Sequence, residues 1–419
     1  MRRVAWGAAF AALLSVVAFS SPSVAADPPQ FQVDPFWPKP LPNNWLFGQI
    51  GGLAVDSNDH VWVLQRPRSL TEDERGATLK PPRSNCCVPA PSVLEFDADG
   101  NFVQGWGGPG TGTEWVGREH GIFVDHKGFV WLGGNADTDS AIFKYTKDGK
   151  LVMEIGKIGP SKGSNDTTML GKPADIQVDP ATNEVFVADG YGNRRVIVFD
   201  ADTGAYKRHW GAYGNKPSDD KTPKYDPAAP VSQQFGNPVH CAKVSKDGFV
   251  YVCDRTNNRI QVFRKDGTYV TEWFYDKNTL GNGAVWDLNF WPDAGQTYLL
   301  NIDGENNQLR VLKRSDGSVV GTVGRSGRYA GQFHWVHNIT VDSRATSTQA
   351  KSTTPTACRS SSRRARRDFF LPSFAGEVAR RAGGVMNICT DAHDPSARYA
   401  GTSPRYAQGG KDRHPNRRR

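Results

Sequence analysis

The sequence predicts an all-β protein, a six-bladed β-propeller whose sixth blade is incomplete. Three observations carry the prediction. A strand–turn–strand unit recurs at intervals of roughly 50 to 70 residues between residues 45 and 343. Forty-four Gly and 27 Pro, without a collagen period, punctuate short apolar runs, as many strands joined by tight turns require. At 38% hydrophobic and 11% aromatic, the chain can bury a large core, which excludes a generally disordered protein.

The chain opens on Met1 to Ala26, which reads as a secretory signal. Arg2 and Arg3 form a charged start, an apolar run follows from Val4 to Phe19, and Ser23-Val24-Ala25-Ala26 offers small residues for cleavage. An N-terminal membrane anchor is the alternative, but the run is short, rich in Ala and ends in Ser-Pro. No other stretch approaches the ~20 apolar residues of a membrane helix. The expectation is an exported, soluble monomer, extracellular or periplasmic, with no membrane span after signal removal.

The body, 27–344, carries the repeats. Leu53-Ala54-Val55-Asp56 leads into Val61-Trp62-Val63-Leu64, and Gly121-Ile122-Phe123-Val124-Asp125 into Phe129-Val130-Trp131-Leu132. Asp175 to Asp179 leads into Val185 to Asp189 and then Asn193-Arg194-Arg195-Val196. Cys241 to Val244 leads into Phe249 to Val252 and then Asn258-Arg259-Ile260-Gln261. A looser copy starts near Trp286-Asp287-Leu288, and a sixth at His337-Asn338-Ile339-Thr340-Val341-Asp342. Each unit is a meander that cannot bury its own apolar faces, and radial repetition covers both. A solenoid is the alternative; it lacks closing geometry and needs caps.

The last segment, 345–419, departs from the pattern. It holds 15 Lys and Arg against 5 Asp and Glu, so it supplies more than the whole formal charge of +8 and leaves residues 1–344 slightly acidic. The charge therefore gives no argument for nucleic acid or an anionic membrane as partner. Where blade six needs its second and third strands, the chain runs Arg344 to Ser361 without apolar alternation. Back-translated and read one frame over, permitted codons for this stretch spell a turn, a strand and the Asn-Arg-Val-Gln strand of the repeat. The expectation is a reading-frame disruption near Arg344, with 345–419 basic, out-of-frame or disordered, and a ring that cannot close normally. The alternative is a genuine basic, Ser/Arg-rich tail.

Six Cys are too few for a disulfide scaffold of this length. In the blade-four hairpin, pairing Val244 with Phe249 across the intervening turn is expected to set Cys241 opposite Cys253, a cross-strand disulfide suited to an exported protein. Cys86 and Cys87 fall in an insertion, Pro67 to Pro91, with no evident partner.

Three of the nine His occupy one structural position. Counting back four residues from the strand-ending Val gives His120, His240 and His337 in blades two, four and six; the other blades have Gly51, Ala174 and Trp286. The position begins the innermost strand, and alternate blades of a six-fold ring lie about 120° apart. Three imidazoles therefore point at one spot, a set that would leave a fourth position open on Zn²⁺. Structural, hydrogen-bonded core histidines are the other reading.

The repeats resemble NHL repeats. With the three His, the segments Pro173-Ala174-Asp175, Asp189-Gly190-Tyr191-Gly192-Asn193 and Cys253-Asp254-Arg255 are similar to signatures of the peptidyl-α-hydroxyglycine α-amidating lyases. That resemblance implies a secreted six-bladed lyase with catalytic Zn²⁺ on His120, His240 and His337, Tyr191 as candidate base, and Arg66 and Arg255 as cations flanking a small or peptide-derived substrate. It also implies a structural Ca²⁺ on the carbonyls of Leu53 and Ile122 and the residue after the third His, but Asn338 stands where the family has Asp. Gly171 and Gly192 stand where a family disulfide would be. The chemistry expected is cleavage of a carbinolamide C–N bond to an amide and glyoxylate, with Arg66 and Arg255 stabilising a Tyr191 phenolate. The alternative is a non-enzymatic NHL propeller binding protein or glycan ligands on its loops.

Overall fold

In the computed structural model, residues 27–34, 36–111, 114–327, 331–351 and 357–362 are described. The expected signal peptide, and the tail from 363, lie outside the described residues. Five contiguous runs of chain each form a four-stranded antiparallel meander. Blade one is Gln49–Val55, Val61–Arg66, Val93–Phe96 and Phe102–Trp106. Blade two is Glu119–Val124, Val130–Gly134, Ala141–Tyr145 and Leu151–Gly156. Blades three, four and five start at Asp175–Asp179, Val239–Val244 and Asp287–Phe290.

The sixth four-stranded sheet is composite. Val336–Val341, Thr346–Lys351 and Ala357–Ser362 pair in order, and Phe31–Asp34 from the other end of the chain adds the outer strand. Strand pairing in this sheet runs past residue 344. First strands of successive blades lie against one another all the way round, including Val336–Val341 against Gln49–Val55. The physical reason is that main-chain pairing needs no apolar side chain, so a Ser/Thr-rich segment can still satisfy the open edge of Val336–Val341.

The sheet is complete in pairing but poor in core. Its second strand buries Ser347, Thr348 and Gln349 where blade one places Val61, Trp62 and Val63. Apolar clusters fill the gaps between neighbouring blades. Val185, Val187 and Ile197 of blade three meet Trp131 and Ile142 of blade two, and Leu300 and Val311 of blade five meet Val336 and Ile339 of blade six. The cluster on the blade-six side of blade one instead takes in Trp37 and Phe47 from the N-terminal approach.

The repeated residues have physical jobs. Turn aspartates tie the first hairpins: Asp125 Oδ1 accepts the amides of Lys127 and Phe129, and Oδ2 accepts the Trp131 indole at 2.8 Å. The Asn-Arg motif buries an ion pair in successive blades, Arg195 Nε to Asp189 at 2.9 Å and Arg259 Nε to Asp254 at 2.7 Å. Both pairs are fully buried, so the carboxylates offset guanidinium charge taken out of water, with Glu272 adding a second carboxylate 3.2 Å from Arg259 Nη1.

Cys241 faces Cys253 and is bonded to it. The expected register around it is off by one: Ser245 and Phe249 close the turn, so Val244 faces Val250. Cys86 and Cys87 are bonded to each other.

Candidate metal centre at one end of the channel

His120, His240 and His337 each sit at a β-bulge in the first strand of blades two, four and six. A bulge adds one unpaired residue and re-aims the side chain beside it. At His120 the next residue is Gly121, whose φ is +69° and whose absent Cβ would lie 2.7 Å from the Ala174 carbonyl oxygen. Only glycine accepts that backbone and that approach.

The bulges bring the three rings together. Ring centroids are 5.2 Å apart for His120–His240 and 4.9 Å for His337 with each of them. One nitrogen of each imidazole lies within 4.8 Å of the others, and all three residues are buried.

Each Nδ1 faces an oxygen. His120 Nδ1 lies 2.8 Å from the Ala174 carbonyl, His240 Nδ1 contacts the Trp286 carbonyl, and His337 Nδ1 contacts Asn338 Oδ1. An Nδ1–H donor on each ring satisfies these oxygens and leaves Nε2 as a lone pair. Burial, then the neighbouring cations, hold all three rings neutral; His337 is pushed down to about 3 by burial and then by Arg66.

Tyr191 closes the group. Its hydroxyl lies 3.1 Å from His120 Nε2 and 3.0 Å from His240 Nε2, and it accepts a hydrogen bond from Arg255 Nη1 at 3.1 Å. One phenolic proton cannot serve two imidazole lone pairs. A donor set with more lone pairs than protons fits a cation, and three imidazoles suit a transition-metal ion. Gly190 brings Tyr191 in, since a Cβ there would lie 2.0 Å from the Val239 oxygen.

The charges of Arg66 and Arg255 both reach His120 and His337. Arg66 donates Nε to the Glu119 carbonyl at 2.7 Å; burial and then Arg118 lower its pKa to about 10. Arg255 lies 4.5 Å over the Trp286 ring, and its buried Nε has no partner among the described residues. Neither forms an ion pair with a carboxylate among the described residues.

Two participants escaped the sequence reading. Trp286 stacks edge-on to His240 and His337 besides carrying Arg255. Arg118 is exposed on a loop pinned by the Asp139 carboxylate to the Gly117 and Arg118 amides, and its charge reaches His337 and Arg66. The sequence signal for Arg118 was its place two residues before His120.

Asn338 turns its oxygen to His337, and Leu53 and Ile122 pair with Val63 and Leu132 in their ladders. Gly171 and Gly192 touch through an amide-to-carbonyl bond of 2.7 Å, so backbone contact replaces the absent disulfide. A second acidic group, Asp56, His60 and Glu95, is satisfied internally: Lys147 and the Trp62 indole bind Asp56, and His60 Nδ1 lies 2.7 Å from Glu95.

The NHL repeat family model matches residues 239–263. NHL repeat-containing protein 3 of Mus musculus is 28% identical over 312 residues, 70% of this chain and 75% of that protein. Peptidyl-glycine alpha-amidating monooxygenase B of Xenopus laevis is 28% identical over 299 residues, 67% of this chain but only 30% of that protein. A probable peptidyl-alpha-hydroxyglycine alpha-amidating lyase of Caenorhabditis elegans is 26% identical over 220 residues, 52% of this chain and 55% of that protein. The chain thus spans less than two thirds of either amidating relative. It is an NHL-repeat β-propeller that resembles the peptidyl-α-hydroxyglycine α-amidating lyases.

Proposed function

We propose that this chain is an exported, metal-dependent lyase that cleaves the C–N bond of an α-hydroxyglycine-type amide to release an amide and glyoxylate. The observation that carries the reading is the convergence of the His120 and His240 Nε2 atoms on one tyrosine hydroxyl that Arg255 also touches.

A Zn²⁺ ion held by His120, His240 and His337 would supply Lewis acidity, easing loss of a hydroxyl proton beside it. The chain's own groups do the rest. Tyr191 is placed to take the carbinol proton and return it to the departing amide nitrogen, so the C–O bond becomes C=O as the C–N bond breaks and no net proton is consumed. The Nε of Arg255, which has no partner among the described residues, and the guanidinium of Arg66 supply donors for the carboxylate that becomes part of glyoxylate. Burial of the three imidazoles keeps water from competing for these donors.

A non-enzymatic binding propeller is the second reading, favoured by the similarity to NHL repeat-containing protein 3, which spans more of this chain than the nematode lyase does. Incubation with an N-acyl-α-hydroxyglycine separates the two. Stoichiometric glyoxylate and amide support the lyase; no release from metal-loaded protein rejects it.

A further inference from the structure

One residue beyond the two carbonyls that orient His120 and His240 stand two buried acids, Asp175 after Ala174 and Asp287 after Trp286. Between them lies the ammonium of Lys243, three residues along the strand from His240. Its Nζ is 2.9 Å from Asp175 Oδ1 and 3.5 Å from Asp287 Oδ1, and its side chain is only 15% exposed. The other carboxylate oxygens accept main-chain donors, Ala242 N on Asp175 at 3.1 Å and Ile339 N on Asp287 at 3.0 Å. A single ammonium thereby ties blades three, four and five together, and through Ile339 reaches blade six. Burial opposes the charge on Lys243, but the two carboxylates outweigh it and raise its pKa.

The family resemblance calls for a structural Ca²⁺ in this channel, and the residues do not fit one. Asn338 is neutral and its oxygen serves His337. The channel already contains a cation of its own, held by two carboxylates in place of a metal ion.

We propose that Lys243 is the structural cation of this channel and a positioning residue of the metal centre. By holding Asp175 and Asp287 it fixes the preceding carbonyls of Ala174 and Trp286, and these fix the Nδ1–H tautomers of His120 and His240. The positioning role rests on reading the three His as a metal centre; the cation role does not.

The test compares wild type, Lys243→Met and Lys243→Arg in two measurements: the Zn²⁺ dissociation constant by chelator competition, and the thermal midpoint of metal-free protein with added Ca²⁺ or EGTA. Lys243→Met is expected to bind Zn²⁺ about 10- to 100-fold more weakly, the usual effect of removing support behind a metal ligand. Its metal-free midpoint falls, and Lys243→Arg recovers most of both losses. The wild-type midpoint does not move with Ca²⁺ or EGTA. Zn²⁺ affinity within about twofold of wild type in Lys243→Met overturns the positioning role. A wild-type midpoint raised by Ca²⁺ and lowered again by EGTA overturns the cation role. If wild type binds no Zn²⁺, the metal-centre reading and the positioning role fall together, and the thermal comparison still decides the cation role. Should Lys243→Met not fold, Asp287→Asn weakens the clamp from the other side and carries the same measurements.

Discussion

Replacing Tyr191 with Phe removes one oxygen and leaves the ring. That oxygen makes three contacts, 3.1 Å to His120 Nε2, 3.0 Å to His240 Nε2 and 3.1 Å to Arg255 Nη1. The Nε2 lone pairs themselves are untouched, and the oxygens that orient His120, His240 and His337 remain in place, so metal content should not change. Stability should fall by about 0.5–1.5 kcal/mol, the worth of an ordinary hydrogen-bonding group. Turnover should fall much further. A positioned acid–base group contributes about 10²- to 10⁴-fold, which is about 3–5 kcal/mol of barrier. The assay is glyoxylate release at saturating N-acyl-α-hydroxyglycine, with metal per chain measured on the same preparation. A kcat within about threefold of wild type at full metal occupancy would remove Tyr191 from proton transfer.

Three further outcomes follow from the same geometry. The buried rings bind protons more weakly folded than unfolded, where His titrates near about 6.5; the unfolded state therefore holds more protons between that value and the about 3 of His337. Metal-free protein should lose stability as pH falls through this window, so a thermal midpoint that stays level from pH 7.5 to about 5 would contradict the burial argument. Asp189→Ala leaves the fully buried Arg195 guanidinium without its carboxylate, and denaturant melts should show a loss of about 3–5 kcal/mol; a loss below about 1 kcal/mol would mean that the carbonyls of Ser164, Asp166 and Met169 hold Arg195 by themselves. Ending the chain after Ser362 should leave the melting transition intact, whereas ending it after Arg344 removes two strands of the closing sheet and should abolish it; equal stability of the two would show that the polar strands do not close the ring.

The repeat and the histidine alternation were legible because both are periodic: three His four residues before a strand-ending Val can be counted without coordinates. Tyr191 and Arg255 came with the motifs around them, and Arg66 with the family resemblance. The composite closing sheet was not legible, because Thr346–Lys351 and Ala357–Ser362 carry no apolar alternation in the sequence. Neither was the bond between Cys86 and Cys87, since spacing does not assign partners within an insertion. The Lys243 clamp was missed for a different reason. On the first strand of a propeller blade a charged residue faces a narrow shared channel, and Asp175, Lys243 and Asp287, each within a separate repeat, meet across three blades. The signal was present in the inward charges of equivalent strands.

The central claim is that three histidines from alternate blades form a metal site. Metal analysis of the purified, dialysed protein tests it most directly, with His240→Ala alongside. One tightly held transition-metal ion per chain, lost in His240→Ala while the β-sheet spectrum persists, is the predicted result. Wild-type protein without stoichiometric metal, or a His240→Ala variant that retains it, would contradict the account.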